Sequence, residues 1–580
     1  MKKKSPVKKT LGRIRPYTGL LLLAMLTSLV GISLTLYIPV LTGNAVDHII
    51  GKGSVGFDDV ARILIYIAVA LVGVTVCQWL MNYLVNLVSF RTVRDLRREV
   101  FRKLNTVPLS YTDTHAHGDL ISRVINDIDA VGDGLTQMFL QLFSGVVTIV
   151  GTLVFMLMTD WRIALAVFFL TPLSLFVAAF IGKLSAKRFR EQQILQGEIS
   201  SYVEEHVGNQ RIVKAFAYED RAQEEFEKLN DKLYDVGFKA QYAGALANPS
   251  TRLVNAIVYA AVALIGALTV LSGTLTIGGL SCFLTYANQY TKPFNEVTGV
   301  LTQLQTAIAA AGRVFEVLEA EDETPDALGG AGDACRGEVC FKNVGFFYTP
   351  DKPLIKDFSL KVPGGCHVAI VGPTGCGKTT LINLLMRFYD VNTGSITVDG
   401  EDIRSLPRDL HRRRFGMVLQ DSWLFKGTIM ENLRYGNEKA TDEQVISAAK
   451  AAYAHSFIRR MPDGYNAEIS EGGGNLSQGQ KQLLCIARAM LSNPSVLILD
   501  EATSSIDTLT EIRVQKAFAK MMKGKTAFVV AHRLSTIRDS DIILVMRDGD
   551  ITEQGTHDEL LKKHGFYYKL YHSQFDSVSK

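Results

Sequence analysis

As far as about Ala310 the chain carries long apolar runs with few charges, and the remainder alternates short apolar stretches with charged ones. A helix rises 1.5 Å per residue, so about 20 mainly apolar residues cross the ~30 Å hydrocarbon core of a bilayer. Six runs are predicted to do so: approximately Tyr17 to Leu41, Val60 to Val88, Leu135 to Met158, Ile163 to Ile181, Leu253 to Ser272 and Ile277 to Leu301. The later part alternates strand-sized apolar stretches with amphipathic helical ones, the period of an α/β protein. The pattern therefore predicts an all-α, six-helix membrane half followed by a soluble α/β half.

The connections between the runs differ. Those joining the first to the second, the third to the fourth and the fifth to the sixth are short and poor in basic residues, as expected of the outer face. Phe90 to Gly134 and Lys183 to Arg252 are long, polar and helical in pattern. Their basic residues lie close to the apolar ends: Arg91, Arg94, Arg97 and Arg98, then Lys183, Lys187, Arg188 and Arg190. Such residues mark the cytoplasmic side, so helices two to five are predicted to continue past the bilayer as intracellular extensions. Their turns are placed near Tyr111 to Leu120 and Val207 to Ala217, where a cytoplasmic domain could be gripped.

The same rule puts Lys2, Lys3, Lys4, Lys8, Lys9, Arg13 and Arg15, directly ahead of the first run, in the cytoplasm. That run is too long for the core of a signal peptide and lacks a small-residue cleavage site, so it reads as a retained span. With 62 Lys and Arg against 58 Asp and Glu the net charge is only +4, and the basic cluster reads as a membrane flank, with no nucleic-acid patch. Seven cysteines show neither metal-ligand spacing nor the density of a disulfide scaffold. Polar residues inside the spans cost energy in lipid unless they face protein or water. Gln78, Asn82, Gln137, Gln141 and the sixth-span group Asn288, Gln289, Lys292, Asn295 and Glu296 are therefore candidates for a substrate path, with interhelical hydrogen bonding as the alternative.

Glu319 to Gly337 is rich in Asp, Glu, Gly and Ala and reads as a linker, dividing the chain into 1–318, 319–337 and 338–580. Beyond it Val339 to Phe341 and Val344 to Tyr348 read as strands. Val368 to Val371 is a short buried strand that runs into Gly372, Pro373, Thr374, Gly375, Cys376, Gly377, Lys378, Thr379 and Thr380. Strand, glycine loop and helix in that order form a phosphate cradle, because the glycines let backbone amides converge and the helix start adds its positive dipole end. Lys378 is suited to neutralising the β and γ phosphates of ATP, and Thr379 to ligating Mg²⁺. A second apolar strand, Val496 to Leu499, ends at Asp500 and Glu501. A carboxylate pair at a strand's C-terminal edge can hold the magnesium shell through Asp500 and polarise an attacking water through Glu501.

About twenty residues before Asp500 stands Leu476-Ser477-Gln478-Gly479-Gln480, opening an apolar helix. With that segment the chain resembles an exporter-type (type IV) ABC half-transporter of the multidrug or lipid exporter kind. The resemblance covers nearly the whole chain: six spans with two cytoplasmic excursions ending in coupling helices, then one P-loop ATP-binding cassette. It implies roles for matching positions. Tyr348 is similar to the aromatic residue that stacks on adenine, Gln420 to the glutamine linking magnesium to the membrane domain, and Asp507 to the loop that signals across the dimer. His532 is similar to the histidine that contacts the γ-phosphate, and Glu471 to the residue facing the coupling helices. The segment with Ser477, Gln478, Gly479 and Gln480 would complete the ATP site of a second subunit, so two chains are needed.

The family pattern has glycine where this chain has Gln478. The resemblance associates that change with heterodimers that keep one weakened ATP site, this chain supplying the catalytic Glu501; a homodimer that tolerates Gln478 is the alternative. The resemblance thus implies ATP-driven, alternating-access export of a hydrophobic or amphipathic substrate across a bacterial plasma membrane, with the N-terminus and cassette in the cytoplasm. Uptake of metal chelates, or service as an ATP-gated channel or regulatory scaffold, are the rival readings.

Overall fold

The computed structural model describes residues 5–49, 56–170, 172–326, 335–419, 422–500, 506–531 and 534–575. The chain divides into two compact units. One comprises Met1–Thr106 with His115–Ala320, the other Val107–Thr114 with Glu321–Lys580.

The first unit is helical. Its long helices are Thr18–Asp47, Phe57–Leu104, a continuous run His117–Thr159, Pro172–Gly208, Glu219–Leu271 and Ile277–Leu318, with Trp161–Leu170 ahead of the fourth. The helix Phe57–Leu104 has 48 residues, about 72 Å at 1.5 Å per residue, more than twice the thickness of a hydrocarbon core. Its first half is apolar and its last turns carry the arginines, so length and composition together make it a span with a polar extension. By the same criteria four helices among the described residues are long and apolar enough to cross a membrane: Pro6–Asp47, Phe57–Leu104, His117–Thr159 and Glu219–Leu271. Two of the six predicted spans are not in that set. The fourth includes residue 171, which lies outside the described residues. The sixth, Ile277–Leu318, is long enough, but Asn288, Gln289 and Lys292 lower its hydropathy.

The run His117–Thr159 contains two π-helical turns, Arg123–Asp127 and Met138–Phe143. Such turns widen the backbone by one residue and re-aim side chains. The first faces the sixth helix with charge. Arg123 bonds Glu316 at 2.9 Å, and Arg313 bonds Asp127. Arg97 with Asp129 at 2.7 Å, Arg13 with Glu99 at 2.6 Å and Lys9 with Glu319 at 2.5 Å complete a closed circuit of ion pairs through the N-terminal helix Pro6–Ile14 and the second, third and sixth long helices. Each exposed pair contributes only about 0.2–1 kcal/mol. Burial of Val85, Leu96, Ile128 and Val314 between those helices contributes more. Toward the other end, Asp47 accepts the Gly278 amide at 2.7 Å, capping the start of the sixth helix, and the buried Tyr286 hydroxyl donates to the Leu36 carbonyl at 2.6 Å.

The second unit is α/β. A four-stranded antiparallel sheet, in the order β2-β1-β4-β5, is built from β1 (Val339–Phe347), β2 (Pro353–Val362), β4 (Thr393–Val398) and β5 (Glu401–Asp402). The two strands expected over Val339 to Tyr348 are one: β1 shifts register between Phe341 and Val344, a bulge that lets both apolar stretches face the core. A six-stranded sheet, in the order β12-β11-β3-β10-β9-β6, holds β3 (His367–Val371), β6 (Phe415–Val418), β9 (Val496–Asp500), β10 (Thr526–Val530), β11 (Ile542–Arg547) and β12 (Asp550–Gly555). All pairs in it are parallel except β11 with β12, and its strands read as continuous apolar runs because both faces are covered. A short pair, β7 (Gly427–Thr428) with β8 (Glu468–Ile469), lies apart from both. The start of the predicted linker is docked on this unit: buried Arg408 bonds Asp326 at 2.7 Å and the Thr324 carbonyl at 2.7 Å.

Candidate functional site

The glycine loop leaves the C-terminal end of β3 and enters the helix Lys378–Leu385. Gly375 and Gly377 have φ of 82° and 102°, a left-handed region that other residues enter only at a cost. Gly377 is the N-cap and has no side chain to cap the first-turn amides, which leaves them to the loop concavity. This geometry fits a polyphosphate. Lys378 Nζ donates to the carbonyls of Gly372 and Pro373 at 2.8 and 2.9 Å, which holds the ammonium over the loop. Thr379 is exposed, Pro373 and Thr374 lie on the exposed rim, and Cys376 is buried beneath. The far end of the same helix is closed by His411, whose Nε2 bonds the Leu385 carbonyl at 2.8 Å, and by Arg412, which donates to the Arg387 carbonyl at 3.1 Å. Burial pushes the His411 imidazole down to about 4, with Arg387 and Arg414 acting in the same direction.

Four parallel strands end side by side, in the order β3, β10, β9, β6. Beyond β3 lies the glycine loop; Asp500 is the last residue of β9, two strand spacings or about 10 Å across the sheet. From β9, β10 and β6 the chain continues into Glu501, His532 and Gln420, all three of which lie outside the described residues. The crevice beyond the carboxyl ends of parallel strands is where α/β proteins bind ligands.

Tyr348 stands at the end of β1, 48% exposed, with its hydroxyl 3.1 Å from Thr380 Oγ1 on the glycine-loop helix. Tyr389 meets it edge to face, 5.0 Å between ring centroids. The Tyr389 hydroxyl in turn donates to Asp113 at 2.5 Å. Asp113 belongs to the short helix Leu109–Thr114, in the first predicted excursion turn, and that segment groups with the second unit. Burial and the neighbouring Asp113 carboxylate both push the Tyr389 phenol up, so it stays a donor across the ordinary pH range. Sequence reasoning passed over Tyr389 and Asp113. The local signal, an aromatic residue just after the glycine-loop helix, becomes meaningful only when the chain brings it against Tyr348.

The segment 476–480 opens the helix Gln478–Ser492. Ser477 Oγ accepts the Gln480 amide at 3.3 Å, and Gln480 Oε1 accepts the Ser477 amide at 2.9 Å, a complete capping box. Gln478 is exposed, so its side chain adds bulk and hydrogen-bonding groups on the solvent side. Gly479 is the sterically required member: a Cβ there would lie 2.3 Å from Thr510 Cγ2. Thr510 sits in the helix Thr508–Met522, whose N-cap is Asp507, its carboxylate accepting the Thr510 amide at 3.0 Å. That bond holds the Asp507 carboxyl below the usual carboxylate range. Among the described residues no hydrogen bond joins 476–480 to the glycine loop.

Comparison with known proteins decides the family. The model of the ABC transporter transmembrane region matches residues 21–294, and that of the ABC transporter itself matches residues 355–504. The chain belongs to the ABC transporters. It is an exporter-type half-transporter, with one membrane region and one ATPase domain, and it is an ATP hydrolase coupled to transport. It is similar to the Bacillus subtilis ABC transporter ATP-binding protein YfiC, at 40% identity over 99% of this chain and 96% of that one. It is also similar to a fatty acid ABC transporter ATP-binding/permease protein of Mycobacterium tuberculosis, at 42% identity over 90% of this chain and 82% of the other. Among solved structures, an ATP-bound bacterial Atm1-family ABC exporter matches with a TM-score of 0.78 and 29% identity, covering 96% of this chain and 98% of that chain.

Proposed function

We propose that this half-transporter exports an amphipathic or lipidic small molecule by alternating access, as one half of a heterodimer in a bacterial plasma membrane. The observation that carries the reading is the convergence of the glycine loop and Asp500 on one edge of the parallel sheet, in a domain that also holds a signature helix opening on its own capping box. In this reading residues 372–380 hold the phosphates of ATP, with Lys378 as the neutralising charge and Tyr348 against adenine. Thr379, Asp500 and Gln420 are the residues suited to Mg²⁺, which would screen the phosphate charge. Glu501 orients and deprotonates the attacking water, and His532 faces the γ-phosphate. Ser477, Gln478, Gly479 and Gln480 serve the partner's nucleotide, and Gln478 makes that second site the weaker one.

Closure of two cassettes on ATP would be passed to the spans through contacts such as Asp113 with Tyr389. The domains act accordingly: 1–318 carries substrate, 319–337 links, and 338–580 hydrolyses, with the N-terminus and cassette in the cytoplasm. A fatty acid transporter among the relatives supports a substrate with an apolar body. So do the half-buried Gln137 and Gln289, whose buried amide oxygens have no hydrogen-bond partner among the described residues and offer polar points along an apolar path. Gln78, Asn82, Gln141, Asn288 and Lys292 are exposed to differing degrees, and the side chains of Asn295 and Glu296 lie outside what the structure describes.

Replacing Glu501 with Gln tests the chemistry. Steady-state ATP turnover is expected to fall at least ~10²-fold while ATP binding is retained; unchanged turnover would remove Glu501 from the mechanism. Co-expression of two differently tagged copies tests the pairing. Copies that capture each other in full yield, with no second half-transporter present, would make the assembly a homodimer. ATP-dependent uptake of fluorescent fatty acid into inside-out vesicles tests direction.

A further inference from the structure

The N-terminal helix Pro6–Ile14 is fastened to the bundle by its basic residues and open along its apolar face. Lys9 and Arg13 are committed to Glu319 and Glu99. On the same helix, Val7 and Leu11 overhang a slot whose opposite walls come from the third and sixth long helices, among them Val131, Met138, Leu304 and Ile308. The slot measures about 180 Å³. An apolar cavity of ~150 Å³ stays dry and takes an apolar guest. Apart from Thr10, every residue lining this one is apolar or glycine. The Thr10 hydroxyl is spent on the Pro6 carbonyl at 3.0 Å, so nothing in the slot anchors a polar group.

The slot is also not sealed, since Val7, Leu11 and Ile308 remain 42%, 48% and 43% exposed. A guest can therefore enter with one narrow apolar end and leave the rest of itself outside. Next to Val7 on the helix is Lys8, exposed and without an ion-pair partner among the described residues, with Lys2, Lys3 and Lys4 preceding it in the chain. A short basic helix with an apolar face, directly before a span, lies at the bilayer surface, where lysine attracts anionic headgroups.

We propose that this slot binds one acyl chain of an anionic membrane lipid, with the headgroup held by Lys8. The lipid is a resident ligand of the transporter, bound on the N-terminal helix and separate from the polar substrate path. Charge selects the headgroup, and the width and apolarity of the slot select the chain.

The test uses the assembled transporter in nanodiscs of phosphatidylcholine and phosphatidylglycerol. A trace of phosphatidylglycerol with a diazirine in its acyl chain is photolysed, and labelled peptides are read by mass spectrometry. Label is expected on residues 7–11 and 304–311, several-fold above that from the phosphatidylcholine analogue. Lys8→Ala should lower it about fivefold. Leu304→Trp, which fills the slot from a half-exposed wall, should abolish it, with the melting temperature and basal ATP turnover of both variants retained as evidence of folding. Absence of label on both segments would overturn the site, whether because the partner subunit covers the slot or because lipid does not enter. Equal labelling by the two probes, or indifference to Lys8→Ala, would overturn the headgroup assignment. Displacement of the label by a transported fatty acid, with excess phosphatidylglycerol ineffective, would reassign the slot to substrate.

Discussion

Two helices of the cassette begin at its two glycine-bearing motifs, residues 372–380 and 476–480, and they begin in opposite ways. Lys378–Leu385 starts from left-handed Gly377 with no side-chain cap, so its first amides are kept for a ligand. Gln478–Ser492 starts from Ser477 with both halves of a capping box formed, which bonds the Ser477 and Gln480 amides and leaves those of Gln478 and Gly479 outside the box. The first N-terminus is organised around an anion in advance. The second already carries side-chain bonds to two of its amides, a cap that contributes about 1 kcal/mol.

The largest effect that can break this comparison lies at the open end. Lys378→Ala removes the cation held over the glycine loop, and ATP turnover is expected to fall about 10²–10³-fold; turnover within about threefold of wild type would show that the loop amides and helix dipole suffice alone. Next comes the closed C-terminal end of the same helix. His411 is neutral and buried in the fold, with a pKa pushed down to about 4 against an unfolded value near 6.5. The unfolded chain therefore binds the extra proton between those values, so the stability present above pH 6.5 is lost as pH falls toward 4. Thermal unfolding should register a loss of about 2 kcal/mol between pH 6.5 and 5 from this group, and His411→Gln should flatten that part of the profile.

The third test is at the capped helix. Ser477→Ala should destabilise its first turn by about 1 kcal/mol, seen as faster amide hydrogen exchange at residues 479–481, whereas Gln478→Gly should leave exchange nearly unchanged because Gln478 takes no part in the box. Equal effects of the two would mean that the cap is not what separates the helices. The smallest effect is expected from Tyr389→Phe. It deletes the bond to Asp113 while keeping the ring against Tyr348, and should cost about 1 kcal/mol or less. Its sign is read by comparing substrate-stimulated with basal ATP turnover: a loss confined to stimulation identifies a coupling contact, and equal loss in both identifies a structural one.

Much of this molecule is legible along the chain because the deciding interactions are local. Residues 368–380 announce a buried strand, a glycine turn and a helix start, and the structure has them in that order. Val496–Asp500 announces a strand with a carboxylate at its end. Long apolar runs announce spans because bilayer thickness sets a length that composition alone can meet. Where local signals conflict, the sequence misleads. The polar interruption between Phe341 and Val344 has the composition of a strand boundary, and it is a bulge within β1. The sixth helix is marked by its length but not by its hydropathy, since its polar residues dilute the apolar signal that defines a span.

The sequence by itself determined which segments can fold and what each can touch: amides for phosphate, carboxylates at strand ends, apolar helices for lipid. Only the tertiary structure decided which of these meet. The order β3, β10, β9, β6 sets Asp500 near the glycine loop, although roughly 120 positions separate them along the chain. Tyr389 reaches Asp113 across 276 positions, and Glu316 reaches Arg123 across 193. The reason is physical. Strand and helix propensity and turn chemistry act over a few residues, whereas pairing order and helix packing depend on burying the whole apolar surface at once, and that sum is not written at any single position.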